Sequence, residues 1–194
     1  MKKLNFILLM AISLIVFQSC NNDDDNVIQE NSNGFLLNSE FVKINNAYYT
    51  NDFATERNDD FIIIVTDGEV ISFSSESNEL LFSNETTNAV LFNGIQNPNT
   101  PNALNFIPSG SYTLNSSNES IGYVYFDFNC ENTGGTLQLC EYSQLVDEND
   151  NANLAVIDIE RDDSTAYYEL NFDFELSNSI MINGQFSGFL ESLQ

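Results

Sequence analysis

Cys20 has the surroundings of a cysteine that accepts lipid. Lys2 and Lys3 give the chain a positive start, residues 4–17 are apolar, and Ser19 is the small residue before the cysteine. These are the parts of a secretory signal, and the apolar run is shorter than the roughly 20 residues of a spanning helix. We therefore expect residues 1–19 to be a lipoprotein signal peptide and Cys20 to carry the acyl chains that anchor the mature protein to a membrane.

The stretch after Cys20 is acidic, with three aspartates at residues 23–25 behind two asparagines. It resembles the export signal of surface lipoproteins in Bacteroidetes, which implies an outer-membrane lipoprotein exposed at the cell surface; a periplasm-facing protein is the alternative. Residues 20–34 have no apolar period, so we expect a disordered, acidic and Asn-rich tether. Residues 107–114 and 182–188 also resemble small uncharacterised lipoproteins of Bacteroidetes, and this resemblance implies a β-domain without a catalytic motif.

Cys130 and Cys140 are a pair suited to a disulfide. In an exported domain an even number of cysteines is most simply explained by a bond, and the Gly134-Gly135 pair between them favours a turn. A three-residue loop over residues 134–136 would place the two cysteines directly opposite each other on one face of a hairpin, with Cβ atoms about 4.5–5.5 Å apart. Two reduced thiols are the alternative, and the spacing does not fit a redox-active Cys-x-x-Cys motif.

Oxygen-bearing side chains recur after residue 146. Asp147, Asn149 and Asn151, followed by Asp158, have a spacing like that of calcium loops. However, Ala152 occupies the position where the sharp turn of such a loop has glycine, and the flanking sequence predicts strands rather than helices. A solvated loop is therefore the preferred interpretation, calcium is the alternative, and no cofactor is expected.

Tyr123 and Tyr125 are the best candidates for stacking against a sugar ring. Two residues apart in a predicted strand, they share a face opposite to Val124, Phe126 and Phe128. The chain has no tryptophan, so ordinary packing within a sheet is preferred over glycan binding for this pair.

The composition excludes several classes of function. Without histidine, neither a Ser-His-Asp nor a Cys-His triad can form, and the usual zinc sites are ruled out. Once residues 1–19 are removed, 3 basic residues remain against 29 acidic ones, a formal charge of −26. Nucleic acid is excluded as a partner because phosphate binding needs clustered Lys and Arg. A hydrolase that uses two carboxylates remains as an alternative.

The elements that must position these residues are strands. Between residues 168 and 174, apolar side chains alternate with Glu169, Asn171 and Asp173, which is typical of a half-buried strand. The same alternation marks residues 121–128, 154–159 and 180–190.

Two further signals concern connections between strands. Asp67-Gly68, between the apolar runs 61–66 and 69–74, predicts a tight hairpin. Residues 93–109 contain three prolines and predict a long loop that crosses between sheets. We therefore expect residues 35–194 to form a single all-β domain, an antiparallel β-sandwich, with an up-and-down, calycin-like β-barrel as the alternative.

Together these features predict a non-enzymatic, lipid-anchored protein of the envelope or cell surface that acts as a binding or accessory module. Its expected partners are the membrane, through the lipid, and a glycan or an envelope protein. The alternatives are a carboxylate-based hydrolase acting on glycans and a structural envelope protein that only contacts its neighbours.

Overall fold

Two large β-sheets and two small hairpins make up the computed structural model, which describes residues 32–51, 61–74, 79–96, 106–114, 119–147 and 155–193. The strands of this part of the chain are β1 Gly34–Leu37, β2 Glu40–Lys43, β3 Asn46–Asn51, β4 Phe61–Thr66, β5 Val70–Ser74, β6 Glu79–Phe82, β7 Ala89–Ile95, β8 Gly110–Leu114, β9 Ser120–Ile121, β10 Tyr123–Phe128, β11 Glu131–Thr133, β12 Thr136–Gln138, β13 Tyr142–Val146, β14 Ala155–Asp162, β15 Tyr167–Glu175, β16 Met181–Gly188 and β17 Glu191–Ser192. Nowhere in these ranges is there a helix with the length and hydropathy to span a bilayer.

The sheets confirm the β-sandwich prediction. One sheet has the strand order β2-β1-β16-β15-β14-β8-β9 and the other β13-β10-β7-β4-β3-β17. Neighbouring strands are antiparallel except for the short pairs β8–β9 and β3–β17. The described strands β2 and β13 each end a sheet, so the sheets do not close into the alternative barrel.

The core lies between the two sheets and is rich in phenylalanine. The alternation predicted for residues 168–174 is confirmed, because Tyr168, Leu170, Phe172 and Phe174 are buried whereas Glu169 and Asn171 are exposed. Phe172 contacts Phe92 of the opposite sheet, with ring centroids 5.3 Å apart. Such edge-to-face contacts between aromatic rings orient the two sheets as well as burying apolar area.

The hairpin predicted at Asp67-Gly68 is wrong. β4 pairs with β3 and β7, whereas β5 pairs with β6 in a separate two-stranded hairpin. All six residues of β4 are buried, as expected for a central strand covered on both faces. The Asp67 carboxylate accepts hydrogen bonds from the backbone N–H groups of Thr87 and Asn88, at 3.0 Å each. It thereby fixes the point where the chain leaves the sheet.

The predicted crossover between sheets is confirmed by the strands on either side of it, but the predicted start of the loop is wrong because β7 extends to Ile95. β7 belongs to the six-stranded sheet and β8 to the seven-stranded sheet, so the chain changes sheets between them. Residues 97–105, which include two of the three prolines, lie outside the described residues.

Candidate functional site

One row of cross-strand neighbours runs along the outer face of the six-stranded sheet, the face turned away from the core. In it Leu145 lies opposite Tyr125, Tyr125 opposite Leu91, Leu91 opposite Ile64, and Ile64 opposite Tyr48. Exposure changes sharply along this row: Leu145 is 43% exposed and Tyr125 38%, whereas Ile64 is 0% and Tyr48 4%. An apolar row is thus covered at one end and open at the other.

The covered end lies under the β5–β6 and β11–β12 hairpins, which we call the roof. Tyr48 and Ile64 of the sheet pack with Val70 and Phe82 of the first hairpin in a second, smaller hydrophobic core. Leu137 of the second hairpin packs against the same core. The outer face of this sheet is therefore apolar because the roof covers about half of it and buries the side chains there.

The two hairpins of the roof are hydrogen-bonded to each other. The Phe82 backbone N–H donates to the Gly135 carbonyl at 2.8 Å, and the Asn132 side-chain amide donates to the Ser83 carbonyl at 2.8 Å. Gly135 packs against β6, where a Cβ atom would lie 3.2 Å from the Phe82 carbonyl oxygen. The β11–β12 hairpin thus acts as a clip on the β5–β6 hairpin.

A disulfide between Cys130 and Cys140 closes the base of this clip, as predicted. The predicted three-residue loop is wrong. β11 and β12 turn over Gly134-Gly135 alone, both with positive φ angles, which is the geometry of a two-residue hairpin. In that register Cys130 would lie opposite Leu139, one residue away from its partner.

Leu139 corrects the register by a single residue. It has a φ angle of +50° and is 80% exposed, so it acts as an extra residue outside the ladder, as in a β-bulge. The pairing of β10 with β13 joins Phe128 to Tyr142. Two residues further along, that register places Cys130 opposite Cys140.

The open end of the row is the candidate binding surface, which we call the open patch. Its side chains come from alternate positions of β10 and β13: Tyr123, Tyr125, Asp127, Ser143 and Leu145. The Tyr125 hydroxyl is 3.0 Å from the Ser143 hydroxyl, and the Tyr123 hydroxyl accepts a hydrogen bond from the Asn93 amide at 2.5 Å. The two tyrosines share the outer face as predicted, while Val124, Phe126 and Phe128 are buried behind them.

Asp127 gives the open patch a partly buried carboxyl group. Burial raises the pKa of Asp127, while hydrogen bonds from Ser143 and Tyr125 act in the opposite direction. An oxygen of this carboxylate lies 3.6 Å from the Cys140 sulfur. Within the described ranges, Asp127, Cys130 and Cys140 are the one group of three acidic or cysteine side chains close enough to share a metal ion. Both sulfurs are committed to the disulfide, so the group offers no thiolate ligand.

The calcium candidates are divided between different parts of the fold. Asp147 directly follows β13 of the six-stranded sheet, whereas Asp158 is exposed on β14 of the other sheet, opposite Asn171 and Ser111. Asn149, Asn151 and the lipidation residue Cys20 lie outside the described residues. For those three the predictions stay predictions.

Sequence reasoning missed Asp127, Ser143 and Leu145 as members of this surface. Tyr142–Val146 mixes polar and apolar residues without a clean alternation, so it gave no strand signal. The available signal was the in-phase spacing of Ser143 and Leu145, which becomes informative only once β13 is paired with β10.

Comparison with known proteins finds no relative of this chain. No family model matches the sequence, and no curated protein or solved structure matches it significantly.

Proposed function

We propose that this chain is a lipid-anchored, non-enzymatic binding protein of the bacterial envelope, held by Cys20 and recognising its ligand at the open patch. The observation that supports it is the incomplete roof: the row from Tyr48 to Leu145 is covered at one end and exposed at the other. Contiguous exposed apolar side chains bordered by polar groups mark interaction surfaces more often than chance exposure does.

The chemistry of the open patch limits the ligand. Tyr125 offers the face and edge of an aromatic ring and Leu145 an aliphatic contact, while Ser143 and Asp127 supply hydrogen-bonding groups. Side chains of this kind, with an aromatic centre and a polar border, are typical of protein interfaces and of ligand sites. The chain carries a formal charge of −24, so a neutral or basic ligand is favoured and an anionic one is repelled.

The binding role is tested by site-specific photo-cross-linking in whole cells. A photoreactive phenylalanine analogue is placed at position 145, inside the open patch, and at position 71 as the matched control. Ile71 is 67% exposed but belongs to the β5–β6 hairpin. We expect a discrete adduct with a protein or a polysaccharide at position 145 and none at position 71. Equal adducts at both positions, or none at position 145, would contradict the proposed binding surface.

The anchor is tested by metabolic labelling with palmitate. We expect label in the wild-type protein and none in Cys20→Ala, because the thiol is the acylated group. External protease should digest the wild-type protein on intact cells if it is displayed at the surface. Label retained by Cys20→Ala would refute the assignment of the lipid, and protection from protease would place the domain on the periplasmic side.

A further inference from the structure

β13 presents a strand edge with no described partner. Of the described strands, β10 alone pairs with it. The Asn93 carbonyl accepts a hydrogen bond from the Gly122 N–H, so the odd-numbered residues of β7 bond to Tyr123 and Tyr125 of β10, and bonded pairs recur every second residue in an antiparallel ladder. The intervening residues of β10 therefore bond to Tyr142 and Gln144, whereas the backbone N–H and C=O groups of Ser143 and Leu145 point away from β10.

This edge lacks the devices that protect other edges. Exposed edge strands are commonly guarded by charged side chains or proline, and β2, at one edge of the other sheet, carries Glu40 and Lys43. β13 has neither a charged residue nor a proline. Gln144 is partly exposed, while Val146 at the far end is 0% exposed, so the usable edge runs from Glu141 to Leu145.

The charges around the edge determine what can occupy it. Glu141 and Glu131 are exposed near its beginning, and Asp127 lies on the adjoining outer face. A second copy of this chain would bring another strongly acidic molecule against these groups, and the two would repel each other. A strand that carries basic residues is favoured by the same field.

We infer that β13 accepts an extended segment of a partner protein as an added antiparallel strand. The inference rests on the proposed function and specifies its ligand as a protein strand rather than a glycan. Alternate side chains of the added strand share the outer face. The segment therefore places an apolar side chain beside Leu145, a small polar one beside Ser143 and Lys or Arg beside Glu141. Backbone hydrogen bonds to Ser143 and Leu145 provide the affinity, and the side chains beside Leu145, Ser143 and Glu141 provide the specificity.

The test uses the full chain, purified in detergent, and the peptide Thr-Tyr-Thr-Thr-Val-Lys-Thr. In antiparallel pairing its Tyr lies beside Leu145 and its Lys beside Glu141. We expect amide hydrogen exchange at Ser143 and Leu145 to slow at saturating peptide, because those two N–H groups become bonded. Exchange at Tyr142 and Gln144, already bonded to β10, should not change.

A charge swap separates local pairing from general attraction. Replacing the peptide's Lys by Glu should weaken binding to the wild-type protein about fivefold, the effect of turning one exposed attractive pair into a repulsive one. Glu141→Lys should reverse that preference even though the protein remains strongly acidic. A Lys preference that survives in Glu141→Lys would show non-specific attraction and overturn the inference.

Ser143→Pro tests the ladder itself, with Ser143→Ala as its matched control. The Ser143 N–H is not bonded to β10, and proline is tolerated at such edge positions, so the two variants should have the same melting temperature. Ser143→Pro should lose its affinity for the peptide, whereas Ser143→Ala should keep most of it. Peptide binding that leaves exchange at Ser143 and Leu145 unchanged, or that persists in Ser143→Pro, would overturn strand addition. Polysaccharide adducts at position 145 would then leave the binding role intact, whereas no adduct of either kind would remove both.

Discussion

The carboxyl group of Asp127 is the titratable side chain most closely tied to the open patch. Burial raises its pKa, so the folded protein holds this proton more tightly than the unfolded chain does. The stabilisation from that proton is complete below about pH 3.9, the ordinary pKa of Asp, and is lost as the pH rises through the raised pKa of the folded state. At neutral pH the ionised Asp127 therefore reduces the free energy of unfolding.

Asp127→Asn should raise the urea midpoint at pH 7 and leave it nearly unchanged at about pH 3, where the carboxyl is protonated in both states. The amide keeps a hydrogen-bonding group beside Ser143 and Tyr125. Asp158→Asn, on the exposed face of the other sheet, is the matched control and should show no comparable gain. A lower urea midpoint for Asp127→Asn at pH 7 would show that burial of the ionised Asp127 carboxylate does not destabilise the fold.

Individual residues of the site differ in how far the sequence predicts them. Tyr123 and Tyr125 are predictable because their common face follows from period two within one strand. Asp127 is in the same phase, but its burial depends on neighbours from β13 and on Cys140. Leu145 gives no signal in the sequence, because its exposure depends on where the roof ends. The β5–β6 hairpin of the roof is more than 50 residues away from Leu145 in sequence, and the β11–β12 hairpin comes just before β13.

At the scale of elements, the bulge at Leu139 is the least expected feature. A bulky residue with positive φ is strained, by about 1–2 kcal/mol for an L-residue in the left-handed region. Leu139 is 80% exposed, so little packing offsets this cost. The bulge is needed because the tight turn at Gly134-Gly135 and the register of β10 with β13 differ by one residue.

Leu139→Gly should therefore raise the free energy of unfolding by about 0.5–1 kcal/mol, since glycine adopts this conformation without strain but loses more entropy on folding. Gln138→Gly is the matched control: Gln138 is an exposed residue of β12, and glycine there should be destabilising. Denaturant unfolding of both variants measures the difference. A loss in Leu139→Gly equal to that in Gln138→Gly would mean that the strain is absent.

The disulfide acts on the β11–β12 hairpin and, through it, on the roof. Cys130→Ser together with Cys140→Ser opens a loop of 10 residues, which should lower the free energy of unfolding by about 2–3 kcal/mol. Exchange of the Phe82 amide should accelerate most, because it donates to Gly135 of the hairpin. Amides of β15, in the other sheet, provide the internal reference. Uniform acceleration in both sheets would show that the bond stabilises the whole fold rather than the roof.

At the scale of the whole molecule, the alternation of apolar residues predicts the β-sandwich, since it fixes which face of each strand is buried. It does not predict strand partners. Asp67-Gly68 suggested a local hairpin, but β4 is buried on both faces and requires β3 and β7 as neighbours. The roof was missed for the same reason: an apolar outer face carries the same sequence signal as an inner one.

Charge is the other property of the whole molecule, and it opposes folding. The chain has 29 acidic and 5 basic residues, and the acidic side chains also meet directly: Glu160 lies opposite Glu169, and both are exposed. Raising NaCl from about 0.02 M to about 0.5 M shortens the screening length. Because screening weakens the self-repulsion of the folded state, the melting temperature should rise by about 3 °C or more.

Glu169→Lys turns the repulsive cross-strand pair with Glu160 into an attractive one, which should stabilise the low-salt state by roughly 0.5 kcal/mol. The variant should then gain less from NaCl than the wild-type protein does, because salt screens its new attraction as well as the remaining repulsion. Sucrose at matched osmolality is the control, since it stabilises by exclusion from the surface without screening and should affect both proteins equally. A melting temperature that does not rise with NaCl would show that repulsion among the acidic residues is not what limits the stability of this sandwich.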